Sequence, residues 1–243
     1  MSKKIIVIVG TGKGLGNHIG MKFGHEGFTV VLMARNGESL KTYEQEFAAE
    51  GIETYVHEAD AAAPESLTVA LDWVKEKLGT PDVLVYNVGI TGMDDPNTMN
   101  NAELMRHYQI DVTSAYHCVQ KVVTEEFANK KGAILFTGGG LAMYPFAQFI
   151  PLSLDKAALR TLSFILHDDL KSKGIFVGTV TVCGTIGIDA FFAPARIAEA
   201  FWNMYLERNT REVVYEYPEL KGTSLNASDY WAKVYALKGS KGE

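Results

Sequence analysis

Cysteine is nearly missing: Cys118 and Cys183 are the only two in 243 residues. They match no zinc or CxxC spacing and are too few for a disulfide framework, so they read as small buried thiols of a reducing compartment. No apolar run approaches the about 20 residues that a membrane-spanning helix needs. Lys and Arg are in deficit, 23 against 29 Asp and Glu, and a net charge of −6 argues against non-specific nucleic-acid binding, which needs cations to neutralise phosphates. The six histidines, His18, His25, His57, His107, His117 and His167, show no His-Glu-x-x-His spacing, and no metal site is expected from them. They read as structural or solvated, with His107 at the surface or in an interface. The first residues lack the long apolar stretch and small-residue cleavage site of a secretory leader. Cytoplasmic residence is therefore the expectation, with neither membrane nor nucleic acid as partner.

Present instead are short apolar runs alternating with amphipathic stretches. Strands are predicted at Ile5–Val9, Thr29–Met33, Glu53–His57, Val83–Tyr86, Ala133–Phe136, Phe176–Val182 and Glu212–Tyr215. Helices are predicted over Gly14–Glu26, Glu38–Glu50, Pro64–Leu78, Asn101–Asn129, Leu152–Ser172 and Pro194–Arg208. Pro64 suits a helix start, and Gly51, Gly79 and Gly174 suit helix ends. This alternation predicts one doubly wound α/β domain over residues 1–243: a seven-stranded, mostly parallel sheet with helices on both faces. No repeat or low-complexity linker divides it. The stretch after Pro218 is more polar and is expected to be a surface segment.

The first strand runs into Gly10-Thr11-Gly12-Lys13-Gly14-Leu15-Gly16, and a helix follows. Gly10 lets the chain turn off the strand. Gly14 and Gly16 are expected to keep side chains away from the helix N-terminus, whose free N–H groups and dipole favour a pyrophosphate. Lys13 followed by Gly14 does not fit a Gly-Lys-Ser/Thr phosphate loop. A dinucleotide with a free ribose 2′-hydroxyl calls for a carboxylate about 20 positions on. That slot reads Met33-Ala34-Arg35-Asn36, with a guanidinium in place of an acid. Arg35 can grip a 2′-phosphate by paired, charge-assisted hydrogen bonds, and Lys13 adds a second cation. NADP(H) is the cofactor this pattern selects.

With these residues in hand, the chain resembles the short-chain dehydrogenase/reductase family over nearly its whole length. The glycine turn is similar to that family's Thr-Gly-x-x-x-Gly-x-Gly, with Val9 in the threonine slot. Asp60, in Glu58-Ala59-Asp60, resembles the Asp that meets the adenine ring. Asn87 and Gly89, in Tyr86-Asn87-Val88-Gly89, resemble the family's Asn-Asn-Ala-Gly. Val182-Cys183-Gly184-Thr185 falls where the family has Pro-Gly beside the nicotinamide. Leu152-Ser153-Leu154-Asp155-Lys156 aligns with its Tyr-x-x-x-Lys helix. The resemblance implies an oxidoreductase with a nicotinamide cofactor held by Gly10, Gly12, Lys13, Gly14, Leu15, Gly16, Arg35, Asp60, Asn87, Gly89, Lys156, Gly184 and Thr185.

The family's chemistry uses a tyrosine to move the proton, a lysine to lower its pKa and bind the ribose, a serine to hold the substrate oxygen, and an asparagine to support a water. Here Lys156 fills the lysine slot, but Leu152 stands for the tyrosine, Gly139 for the serine and Asp111 for the asparagine. Asp111 is expected to form an ion pair with Lys156. Ser153 points about 100° away from the tyrosine slot and is a poor substitute. Tyr144 is either a proton donor from the substrate loop or an aromatic packing residue, and Lys156 is itself a candidate acid. Segments 139–151 and 185–200 are the expected substrate loops. Their Phe146, Phe149, Ile150, Phe191 and Phe192 either line an apolar pocket, for a small apolar substrate, or seal it. Two functional readings stay open: an NADP(H)-dependent oxidoreductase lacking the usual acid–base pair, and a catalytically silent NADP(H)-binding sensor or regulatory protein. The apolar Lys156 helix and the 101–129 stretch imply a homodimer or homotetramer.

Overall fold

Strand β1 (Ile5–Val9) has all five residues buried, as expected of a strand covered on both faces. Its alternating side chains divide between two cores: Ile6 and Ile8 enter one, Ile5, Val7 and Val9 the other. The computed structural model describes residues 3–238 and places β1 beside β2 (Thr29–Ala34) and β4 (Val83–Tyr86). With β3 (Thr54–Glu58), β5 (Ala133–Gly139), β6 (Phe176–Val182) and β7 (Glu212–Tyr215), they form a seven-stranded sheet of order β3-β2-β1-β4-β5-β6-β7. Every pairing is parallel, where a mostly parallel sheet was expected. The order reverses between β1 and β4. That switch point opens a crevice at the strand carboxyl ends, where ligands bind in doubly wound sheets.

Helices α1 (Leu15–His25), α2 (Gly37–Ala49), α8 (Pro194–Glu207) and α9 (Ala227–Leu237) cover one face. Helices α3 (Pro64–Lys77), α5 (Ser114–Val122) and α7 (Ile150–Leu170) cover the other, joined by the short α6 (Glu125–Asn129). Positive φ at Gly51, Gly79 and Gly174 supplies the left-handed residue that follows α2, α3 and the turn after α7. No described helix is long and apolar enough to cross a membrane.

Three expectations needed correction. The stretch 101–129 is not one helix: α4 (Asn101–Tyr108) passes through a π turn at Gln109–Thr113 into α5, and Val123 leaves helical geometry before Thr124 caps α6. Strand β5 runs three residues beyond Phe136, because pairing with Val180–Val182 holds Thr137-Gly138-Gly139 extended. The polar-looking segment after Pro218 is exposed along most of its length but is not polar surface throughout: it forms α9, whose Tyr230 and Val234 are buried in the core that also holds residues of α1 and α8. Tyr230 is fully buried and donates to Glu216 Oε2 at 2.9 Å. Tyr230→Ala is therefore expected to cost roughly 3–5 kcal/mol, as large aromatic truncations in cores do. Urea unfolding measures this; a loss below about 0.5 kcal/mol, typical of surface positions, contradicts the packing of α9.

Candidate active site

The turn after β1 is tied down from β2. Gly10 and Thr11 both donate backbone N–H to Met33 O at 3.0 Å. Gly10 has φ +90°, and a Cβ on it would lie 2.8 Å from Val88 N. No L side chain satisfies both conditions. Gly10→Ala is expected to destabilise by roughly 1–3 kcal/mol from overpacking alone, with further strain of about 1–2 kcal/mol from the left-handed backbone. Thermal unfolding checks this, and an unchanged midpoint contradicts it.

The other glycines divide by what surrounds them. Around Gly12 and Gly14 a Cβ would meet nothing within 4 Å, so these two keep the space before α1 open. Gly16 does something else than the sequence suggested. A Cβ there would lie 2.7 Å from Gly10 O and 2.9 Å from Thr11 Cα, so its role is close packing of α1 on the turn. Leu15 is buried in the core and anchors the helix. Gly14, at the N-cap, makes no side-chain cap, which leaves first-turn N–H groups for an anion.

A cleft of about 250 Å³ opens beside this turn, walled by Gly10, Thr11, Arg35, Asp60, Asn87 and Gly89 among others. Arg35 is exposed on its wall; Lys13 is exposed on the turn but is not part of the wall. Asp60 Oδ1 accepts Ala62 N–H at 2.9 Å, which fixes the loop beneath the far end of the cleft. The open glycine cradle, the helix end without a side-chain cap and a wall that carries Arg35 fit an extended dinucleotide.

A polar ladder crosses the sheet from the turn to α7. Asn87 Nδ2 donates to Gly10 O at 2.8 Å, Thr137 Oγ1 donates to Asn87 Oδ1 at 2.7 Å, and Lys156 Nζ donates to Thr137 O at 3.0 Å. Asn87 thus lies on the cleft wall while both ends of its amide hold the scaffold. Thr137 escaped the sequence reading, because its partner is 50 residues away in sequence.

Lys156 is buried, with its stem beside Gly139 and its amine beside Gly89. A Cβ on Gly139 would lie 3.2 Å from Lys156 Cγ; one on Gly89 would lie 3.3 Å from Nζ and 3.6 Å from Asp111 Oδ2. Asp111 is fully buried on the π turn, and its oxygens accept Ile90 N–H at 3.1 and 3.2 Å. The expected direct ion pair with Lys156 is not among the described contacts: each group is claimed by a backbone partner, and their charges act across a gap. Burial pushes the Lys156 ammonium below its ordinary pKa, while Asp111 and Asp155 oppose that shift. Burial likewise raises Asp111, with Lys156 pulling it back down.

Asp155, which the sequence did not single out, is fully buried on α7 with neither carboxylate oxygen hydrogen-bonded. Burial first, and then the charge of Asp111, push its pKa up to about 7. Its only sequence signal is an acidic residue on an otherwise apolar helix face.

Leu152 is buried at the start of α7, and Ser153 is occupied, its Oγ accepting Phe146 N–H at 3.3 Å. Tyr144 stacks on Tyr230 at 3.6 Å between ring centroids, and its carbonyl accepts Trp231 Nε1–H at 2.8 Å. This is the packing role of the two weighed for it. Burial, and then Glu216, raise its phenol pKa. Phe192 is fully buried where a Cβ on Gly184 would overlap its ring, and Thr185 is exposed. His107 is buried, not superficial: its Nε2 lies 3.3 Å from Glu103 Oε1, and Nδ1 has no partner. Both cysteines are free and buried.

Residues 4–190 match the family model for short chain dehydrogenases. The chain belongs to the short-chain dehydrogenase family. Among curated short-chain relatives, it is 29% identical over 187 residues to a 7alpha-hydroxysteroid dehydrogenase of Escherichia coli (strain K12), covering 77% of this chain and 72% of that one. It is 25% identical over 186 residues to the 3-oxoacyl-(acyl-carrier-protein) reductase FabG of Staphylococcus epidermidis, covering 73% of each. The fold also matches a metagenomic short-chain oxidoreductase crystallised with NADP, at TM-score 0.79 and 24% identity over 88% of this chain and 97% of the other. An alcohol dehydrogenase of the archaeon Thermococcus sibiricus, complexed with 5-hydroxy-NADP, aligns at TM-score 0.76 and 20% identity over 89% and 99%. Short-chain dehydrogenases are oxidoreductases, and this chain shares their fold.

Proposed function

We propose that the protein is an NADP(H)-dependent oxidoreductase whose active site works without the tyrosine and serine usual in its family. The observation that carries the reading is a complete cleft, with Arg35 on its wall, joined by hydrogen bonds to a buried Lys156. Arg35 and Lys13 would hold the 2′-phosphate, and the N-terminus of α1 the pyrophosphate. Asp60 would face the adenine, Lys156 the nicotinamide ribose, and Gly184 with Thr185 the far edge of the ring. When bound, the cofactor supplies the hydride.

The chain itself must handle the proton. Leu152 offers no donor and Gly139 no side-chain hydroxyl, so general-acid help worth about 10²–10⁴-fold is missing from its usual place. Tyr144 is held in the aromatic wall by Tyr230 and Trp231, which leaves Lys156 or water. The fitting substrates are small, apolar and need little acid help: an activated alkene, an imine, a quinone or a readily protonated carbonyl. A second reading, a catalytically silent NADP(H) sensor, draws on the same pair, Leu152 and Gly139.

NADPH fluorescence on binding, followed by NADPH consumption against carbonyls and activated alkenes, tests the proposal. Binding with turnover on an activated alkene or a readily protonated carbonyl supports it. Absence of binding overturns it, and binding without turnover across the set favours the sensor. Assembly as a homodimer or homotetramer belongs to the same proposal: Met105 on α4, Tyr116 on α5, and Leu154 and Ile165 on α7 are exposed apolar residues on helices of one face.

A further inference from the structure

Strand β3 ends on Glu58, whose Cα is paired with Ala34 at the end of β2. Ala59 N–H ties the same junction to Ala34 O at 2.9 Å. Ala34, Arg35, Ala59 and Asp60, the residues around this junction, all wall the cleft, which puts the Glu58 backbone at its rim. Glu58 itself is exposed and is not one of the wall residues.

Its carboxylate lies instead on Gly37, the first residue of α2. A Cβ on Gly37 would overlap Glu58 Oε1 and lie 2.9 Å from its Cδ. Gly37 is helical, so its backbone does not call for glycine. What calls for glycine is the carboxylate that fills the side-chain space. The first turn of a helix favours negative charge, which holds the acid there. Two cations stand near it. Lys41, one turn along α2, bonds Glu38 at 3.0 Å and feels the Glu58 charge less strongly. Arg35 lies in the chain between Ala34, which Glu58 pairs with, and Gly37, which its carboxylate covers.

We propose that Glu58 is a specificity-determining residue for the ribose 2′ position of the cofactor, and that Gly37 is the bay that holds its charge away from that position. The proposal rests on the NADP(H) reading. A 2′-phosphate carries close to two negative charges, and a carboxylate free to approach Arg35 would both occupy the guanidinium and repel the phosphate. A ribose hydroxyl carries no charge and can donate to the same carboxylate. With the acid seated on Gly37, Arg35 is left to the phosphate. A side chain at position 37 closes the bay. Strand pairing fixes only the Glu58 backbone, and Lys41 is already paired with Glu38, so Arg35 draws the displaced carboxylate toward the cleft.

Fluorescence titrations with NADPH and NADH test this, read as the ratio of the two affinities. Gly37→Ala is expected to lower the preference for NADPH about two- to tenfold, the worth of one charge acting on a phosphate across water. Glu58→Gln is expected to raise it by a factor in the same range, and Glu58→Lys to raise it further. The double variant Gly37→Ala with Glu58→Gln is expected to stand at or above the wild type. Substitutions at one contact thus move the ratio in opposite directions, which a general loosening of the fold does not produce. Adenosine 2′,5′-bisphosphate and AMP, used as competitors, are expected to repeat the pattern without the nicotinamide. The Glu58→Gln shift is also expected to shrink in 1 M salt, where the screening length is about 3 Å.

A ratio that Gly37→Ala leaves unchanged, or a loss that persists in the double variant, overturns the proposal. Gly37→Ala should fold as the wild type does, because the clash is relieved by the end of an exposed side chain. Should circular dichroism show that it does not, Glu58→Gln and Glu58→Lys decide alone, and an unchanged ratio in both overturns the proposal. A wild type that binds neither cofactor ends the NADP(H) reading and this proposal with it. A wild type that prefers NADPH, with variants that keep its ratio, overturns this proposal and leaves that reading standing.

Discussion

Leu152→Tyr combined with Gly139→Ser is expected to raise kcat/KM for simple ketones by about 10²–10⁴-fold, the usual worth of a positioned general acid. The scaffold for the phenol is already present. Leu152 lies one helical turn before Lys156 on α7, so a tyrosine there shares the face of the ammonium that would lower its pKa. Lys156 is fixed by Thr137 O at 3.0 Å and needs no new support. A serine at 139 is tighter: its Cβ would lie 3.2 Å from Lys156 Cγ, and the flexible lysine stem has to yield by a few tenths of an ångström. Leu152→Tyr alone is therefore expected to recover part of the gain and Gly139→Ser alone almost none. A double variant that binds NADPH as the wild type does, yet reduces no ketone faster, would show that more than the proton donor is absent.

Arg35→Ala is expected to weaken NADPH by roughly 10–150-fold, the equivalent of about 1.5–3 kcal/mol for hydrogen bonds to a charged group, and to leave NADH unchanged. The substitution removes a side chain that is exposed on the cleft wall, so the fold should tolerate it. Its neighbour Asn36 separately caps α2 by accepting Ser39 N–H at 2.8 Å, which keeps the loop in place. One acid does stand nearby: Glu58, paired with Ala34 in the sheet, lies against Gly37 at the start of α2. It comes from β3 and not from the end of β2, where an acid selecting a ribose hydroxyl is sought. A variant that weakens NADH as much as NADPH would show that Arg35 reads the shared pyrophosphate or adenine instead.

Much of this was legible in the sequence because it is local. A run of five apolar residues followed by glycines specifies β1, the turn and α1 without reference to the rest of the chain. The slots of Lys156, Leu152 and Gly139 follow from the family resemblance, whose motif lies along one segment. What escaped is tertiary. Gly14 and Gly16 look alike in sequence, yet only the second is pressed against Gly10 O. The polar residues after Pro218 hide Tyr230 and Val234, and Tyr230 is buried by partners distant in sequence, Tyr144 stacked on its ring and Glu216 at its hydroxyl. His107 and Asp155 read as ordinary polar residues of helices. Their unpartnered atoms arise only when α4, the π turn and α7 come together. Asp111 was found in its slot, but its partner is Ile90 N–H, 21 residues away, and not the lysine that charge alone suggested.

The central claim is a cleft that holds NADP(H) beside a site without the usual tyrosine and serine. Parallel fluorescence titrations of the wild-type protein with NADPH and NADH test it most directly. NADPH is predicted to saturate, with NADH weaker by at least about tenfold, the lower bound of what a charge-assisted phosphate contact contributes. NADH binding as tightly as NADPH, or neither binding, contradicts it.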